Sequence, residues 1–173
     1  GAIAMTAIHA GIPLKTSHDL EQGQALSADF TGMGWHDHLH LSNIPLITPA
    51  EAGIRMARLA SSSSFSIFEY WLSDIAGHRQ DMQSACTLLS TLDEAISGLT
   101  ETWADEDGLI LITSDHGNLE DLSTRRHTTN LVPLILIGAS PLRCRFLASM
   151  ETENPGSVCD LTRVAPAILN FLA

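Results

Sequence analysis

Apolar positions recur along this chain in two rhythms, one suited to helices and one to short buried strands. Residues 2 to 10 are small and apolar and read as the end of a helix, stopped by Gly11 and by Ile12-Pro13, where the backbone must leave helical geometry. Thr16 or Ser17 can cap a short helix through Leu20 to Gly23. Thr48-Pro49-Ala50-Glu51 is a stronger start, with Thr48 at the N-cap, Pro49 in the first turn and Glu51 in the capping-box position, and its helix should run to about Ser61. Asp74 to His78 lead into a long helix in which Met82, Cys86, Leu88, Leu89, Leu92, Ile96 and Leu99 are spaced for one buried face. A last helix, Asp160 to Leu172, has an acidic start and an apolar stripe.

Three continuous apolar runs read as strands. "FSIFEYWL", Phe65 to Leu72, is aromatic and β-branched, and Leu109 to Thr113 and Val132 to Ile137 are short enough to be buried on both faces. Strands alternating with helices predict an α/β sheet with helices on both faces. Residues 24 to 48 carry Gly32, Gly34 and Pro45 with few periodic apolar positions, and are expected to form a long loop or cap-like insertion within one domain of residues 1 to 173. The chain opens inside an apolar, Ala-rich segment with no helix cap before it, as a fold truncated at its N-terminus would.

Composition narrows the function classes. With 45% hydrophobic residues the chain can bury a sizeable core. Twenty acidic residues against nine Lys plus Arg give a formal charge of -11, which repels nucleic-acid phosphates and anionic membrane surfaces, so neither is expected as a partner. Bound cations can offset part of that excess. Cys86, Cys144 and Cys159 are an odd number without CxxC spacing, two of them in patterns that read as buried helix, as expected of reduced thiols in a cytoplasmic protein. No apolar stretch is long enough to span a bilayer, and the first residues lack the layout of a signal peptide.

The carboxyl ends of strands are where α/β sheets bind ligands. The expected strand at 65 to 72 runs into "SDIAGH", offering Asp74 and His78; the strand at 109 to 113 runs into "SDHGN", offering Asp115 and His116; His127 lies just before the next strand. Three imidazoles and two carboxylates suit zinc, manganese or magnesium-like ions, and five ligands fit a paired site better than one structural zinc. A lone Asp-His pair is more often a hydrogen-bonded loop feature, and Asp74 with His78 also reads as a helix cap and a surface imidazole. Their combination at consecutive strand ends favours metal. Asn118, Glu120 and Asp121 are expected to orient the imidazoles, Thr128, Thr129 and Asn130 to shape the loop that aims His127, and Arg125 and Arg126 are candidates to meet a phosphate.

"FEYWLSDIAGHRQDM" and "ITSDHGNLEDLSTRRHTTNLVPLILIG" resemble the metal-binding segments of the alkaline phosphatase superfamily, in the branch of cofactor-independent phosphoglycerate mutases, phosphopentomutases and related metalloenzymes, and "DLTRVAPAILNFL" resembles a helix near the end of many members. The resemblance implies an alkaline-phosphatase-like α/β fold and two divalent ions, Mn or Zn with Mg also suitable. It puts Asp74, His78 and His127 on one ion and Asp115 with His116 on the other. It further implies an upstream Asp and a Ser or Thr nucleophile, for which this chain offers no counterpart, so that no catalytic nucleophile is identified and the chain corresponds to the C-terminal portion of such an enzyme. A small phosphorylated substrate follows, together with a homo-oligomer or an N-terminal fragment as partner.

"GWHDHLHL" places His36, His38 and His40 at alternate positions, on one side of an extended segment. Solvated loop histidines are the commoner outcome, and the resembling family has no fixed metal role to match them. The expected activity is metal-dependent phosphate-ester transfer or hydrolysis; the alternative is a non-catalytic metal-binding or interaction domain.

Overall fold

In the computed structural model, residues 2–104, 107–150 and 160–173 are described. Helix α1, Ala2–His9, ends at Gly11, whose φ of 71° turns the chain. In α2, Ser17–Glu21, Thr16 is the N-cap and forms the complete capping box with Asp19. The segment expected as a loop contains a helix, α3, Met33–Leu39, held by Asp29, whose Oδ1 accepts from the Gly32 amide at 3.0 Å and Oδ2 from the Gly34 amide at 2.6 Å. Its apolar spacing was too sparse to signal a helix, because the carboxylate organises the first turn where a core stripe otherwise would. Helix α4, Pro49–Ala60, begins with the expected Thr48–Glu51 box.

Residues 65–70 form no strand or helix, and the expected strand gives way to α5, Leu72–Arg79. The aromatic content of that stretch serves a stack instead. Phe30 lies between Phe68, at 5.2 Å between ring centroids, and Tyr70, at 4.7 Å, and all three join the core formed with Ala52 and Ala95. Burial, with Asp29 adding to it, pushes the Tyr70 phenol up to about 12.

Helix α6, Met82–Trp103, packs along α4 through small residues. A Cβ on Gly53 would strike the backbone of Ala95 and Leu99, and one on Gly98 the backbone of Ala50, so these two glycines let the helix axes approach. Ala85, Ala95, Gly98 and Leu99 are therefore the buried face, with Leu88, Leu92 and Ile96 half-buried. Met82, Cys86 and Leu89 follow the neighbouring stripe and stand exposed, which corrects the expected seven-residue buried face. Cys144 is exposed as well, so neither described cysteine is a core thiol, and Cys159 lies outside the described residues.

Strands β1, Leu109–Thr113, and β2, Leu134–Gly138, pair antiparallel in the register Leu109 to Gly138 and Thr113 to Leu134. Helix α7, Ser140–Met150, which the sequence reading passed over, and α8, Val164–Leu172, cover one face, where Leu109, Leu111 and Leu136 meet Phe146, Met150 and Ala167. A 3-10 turn, Leu161–Arg163, precedes α8 and is capped by Asp160, as the acidic start implied. The α/β class holds, with the described helices against this sheet on one face. Both strands are half-buried rather than fully buried, Leu134 and Ile135 being 38% and 45% exposed. None of the described helices is long and apolar enough to cross a membrane.

Candidate metal centre

An antiparallel pair brings the end of one strand beside the start of the other. The 20 residues between β1 and β2 thus leave and return at one end of the sheet. The pairing extends into that connection through a bridge between Gly117 and Thr128, the Thr128 amide donating to the Gly117 carbonyl at 2.9 Å. Residues 116 and 127 consequently sit side by side, and the rings of His116 and His127 stack at 3.6 Å and 15°.

Two more ligand candidates come from α5 rather than from a strand end. Asp74 and His78 are four residues apart and share one helix face. The Asp74 Oδ2 lies 3.4 Å from His78 Nε2 and its Oδ1 3.2 Å from His127 Nε2, while the two Nε2 atoms are 3.2 Å apart. One ligand atom from each of Asp74, His78 and His127 falls within 4.8 Å of the others, and this is the one such group of three among the described residues. The side chains are 38%, 42% and 47% exposed, so the cluster opens to solvent.

Two neighbours fix its geometry. His78 Nδ1 is 2.7 Å from the Arg125 carbonyl; a carbonyl only accepts, so Nδ1 donates and Nε2 is the nitrogen turned toward Asp74. With Nδ1 engaged, Nε2 is the atom free to share a cation with Asp74 Oδ2, 3.4 Å away. That donor set, two imidazoles and a carboxylate with an oriented tautomer, fits a divalent ion. Asn118, 6% exposed, donates from Nδ2 to Asp74 Oδ1 at 3.0 Å. It reaches that oxygen across Gly77, where a Cβ would overlap its amide.

Glu120 ties the connection together. It accepts from the Asn118 amide at 2.6 Å, from the Asn130 side chain at 3.0 Å and from the Thr128 hydroxyl. These bonds, the Thr128 one foremost, hold its carboxyl down to about 2. Asp121 instead accepts from Ser123, which also lowers its pKa, and does not touch the imidazoles. Arg125 donates from Nε to Gln80 Oε1 at 3.0 Å.

Asp115 and His116 form a looser pair. His116 Nε2 is 3.5 Å from Asp115 Oδ1, the Asp115 side chain is 86% exposed, and His116 Nδ1 is buried with no hydrogen-bond partner among the described residues. The segment of His36, His38 and His40 is helical up to Leu39, so the extended arrangement with three imidazoles on one side does not occur. His36 Nε2 contacts the Ile44 carbonyl at 2.7 Å instead. Sequence reasoning missed Gln80, whose amide donates to the Leu122 carbonyl at 3.0 Å as well as accepting from Arg125; the signal was a glutamine at a helix end where glycine is usual.

Residues 50–173 match the Metalloenzyme superfamily. Similar proteins include the 2,3-bisphosphoglycerate-independent phosphoglycerate mutases of Pyropia yezoensis, 34% identical over 113 residues, and of Methylobacillus flagellatus, 32% identical over 113 residues. That of Desulforudis audaxviator is 32% identical over 112 residues. Each alignment covers 61% of this chain and 20% or 21% of the relative, so the matched part of the chain spans about a fifth of the length of these curated relatives. No solved structure matches. The family match takes in all five candidate ligands and more than half of the chain, and the chain belongs to the Metalloenzyme superfamily.

Proposed function

We propose that this chain carries the divalent-metal centre of a cytoplasmic enzyme of phosphate-ester transfer or hydrolysis, phosphomutase- or phosphatase-like, acting on a small phosphorylated substrate. The convergence of Asp74, His78 and His127 carries this reading. These three would hold one ion, Mn or Zn with Mg also suitable, and Asp115 with His116 would give two donors to a second. A bound divalent ion polarises a phosphoryl oxygen and lowers the pKa of a coordinated hydroxyl.

The protein's own contribution is positional. The Arg125 carbonyl orients His78, Asn118 holds the Asp74 carboxylate, and Glu120 closes the loop that presents His127. With the Arg125 Nε engaged by Gln80, the exposed Arg126 beside His127 is the freer cation for a substrate phosphate. In this reading the Ser or Thr nucleophile and a further Asp completing the second ion site are supplied from outside these 173 residues. The resemblance to phosphoglycerate mutases supports the reaction class, and those relatives are far longer proteins.

The high exposure of Asp115 favours a second reading, a single-ion, non-catalytic domain. Metal content per chain separates the two after equilibration with Mn²⁺ or Zn²⁺ and removal of free ion. A paired centre retains more than one ion, or acquires the second with a phosphate ester present, and the His127→Ala variant loses the first. One ion under every condition supports the non-catalytic reading. No retained ion, with a melting temperature indifferent to chelator, overturns both, because an ion that binds only the native state must raise its stability.

A further inference from the structure

His127 reaches Asp74 and His78 from a segment 49 residues further along the chain than His78, so something must hold that segment against the end of α5. Besides the Asn118–Asp74 and His78–Arg125 bonds, two contacts that do so converge on Gln80. Its Nε2 donates to the Leu122 carbonyl at 3.0 Å and its Oε1 accepts from Arg125 Nε at 3.0 Å. A carbonyl only accepts and a guanidinium only donates, so the two partners dictate which way the amide points. The bonds bracket residues 122 to 125, and the Arg125 carbonyl in the same stretch is the one that accepts the hydrogen bond from His78 Nδ1.

The backbone adds an independent sign. Gln80 ends α5 with φ 56° and ψ 34°, the left-handed region where a residue with a Cβ is strained and glycine is the usual occupant. Strain of this kind persists where surrounding interactions over-determine the conformation. Here the residue that carries it also carries the two bonds to the distal loop.

We propose that Gln80 is a positioning residue of the metal centre, its amide clamping the 122–127 segment to the end of α5 so that Arg125 orients His78 and His127 faces Asp74. The inference rests on the metal reading above. The informative variant is Gln80→Gly, which relieves the left-handed strain while deleting both side-chain bonds. The metal-free variant is expected to melt within a few degrees of the unaltered chain, because relief of the left-handed strain offsets the two lost side-chain bonds. Its Mn²⁺ or Zn²⁺ affinity, measured by competition with a chelating dye, should fall by roughly 10- to 100-fold. Gln80→Glu keeps the acceptor for Arg125 and loses the donor to Leu122, and should lie between the two. In the metal-free proteins, amide exchange over residues 122–127 should be faster in Gln80→Gly.

A merely structural residue would move melting temperature and affinity together, and that pattern overturns the proposal, as does an affinity within about twofold of the unaltered chain. Unchanged exchange over 122–127 overturns it too. If the unaltered chain binds neither ion, the metal reading itself fails and the proposal falls with it; if it binds and Gln80→Gly binds equally well, only the role of Gln80 fails.

Discussion

Among the described residues, two sets of three metal-capable side chains invite comparison. His36, His38 and His40 lie within five residues of one another, yet the helix that contains the first two spreads them and spends His36 on the Ile44 carbonyl. Asp74, His78 and His127 span 54 residues, yet their ligand atoms meet within 4.8 Å. Density of ligand types along a sequence is therefore the weaker sign. A site forms where separate elements are made to converge and where neighbours such as Asn118 and the Arg125 carbonyl fix the direction of each donor.

The most direct way to break this comparison is to delete each group. His127→Ala removes one of three converging donors and is expected to weaken Mn²⁺ or Zn²⁺ binding by more than about 100-fold, since even outer partners are worth 10- to 100-fold. Replacing His36, His38 and His40 together by Ala should change affinity by less than about threefold, while lowering stability by about 1 kcal/mol through the lost Ile44 contact. Chelator competition and thermal melts on the two proteins read both quantities. Comparable losses of affinity would mean that the histidine-rich helix takes part in binding.

The same contrast explains what was legible beforehand. The five candidates could be named beforehand because two Asp-His pairs and a lone His beside apolar runs are a local pattern, and Thr48 and Asp160 were legible as caps for the same reason. What brings the ligands together was not. Asp74 and His78 were assigned to the end of a strand because "FSIFEYWL" has strand-like composition, whereas Phe68 and Tyr70 earn their place by stacking on Phe30, a contact across about 40 residues that no local pattern encodes. Helix α7 escaped for a related reason, since its buried residues, Phe146 and Met150, gain meaning only against β1, β2 and α8. Gln80 likewise acts through residues 42 and 45 positions away.

Glycines sharpen the comparison at smaller scale. A Cβ at Gly53 meets the backbone of α6, and one at Gly77 meets the Asn118 amide. Both Gly→Ala variants should lose stability by about 1–3 kcal/mol through overpacking. Only Gly77→Ala displaces the donor to Asp74 Oδ1, so only it should also weaken metal binding per folded molecule, by about tenfold. Denaturant titration together with metal binding at a temperature where both variants are folded distinguishes them. An equal loss of affinity in Gly53→Ala would tie the α4–α6 packing to the site.

The gentlest test acts through Glu120, which organises the loop without touching either α5 ligand. Its carboxyl is held down to about 2, against 4.5 as the ordinary value, chiefly by the Thr128 hydroxyl and then by the Asn130 side chain and backbone amides. A depressed carboxyl contributes stability that is fully present above its unfolded pKa and fades as pH falls toward the folded one. The loop should therefore keep its protection above about pH 4.5 and lose it progressively as the pH approaches 2. Glu120→Gln, which has no proton to take up, should start less protected and show no such step in that window. Amide exchange at residues 117–130 of the metal-free proteins follows the difference between the two profiles, which cancels the protonation of the histidines common to both. Parallel profiles would mean that the loop is held by the Gln80 side and the Gly117–Thr128 bridge alone, leaving Glu120 a bystander.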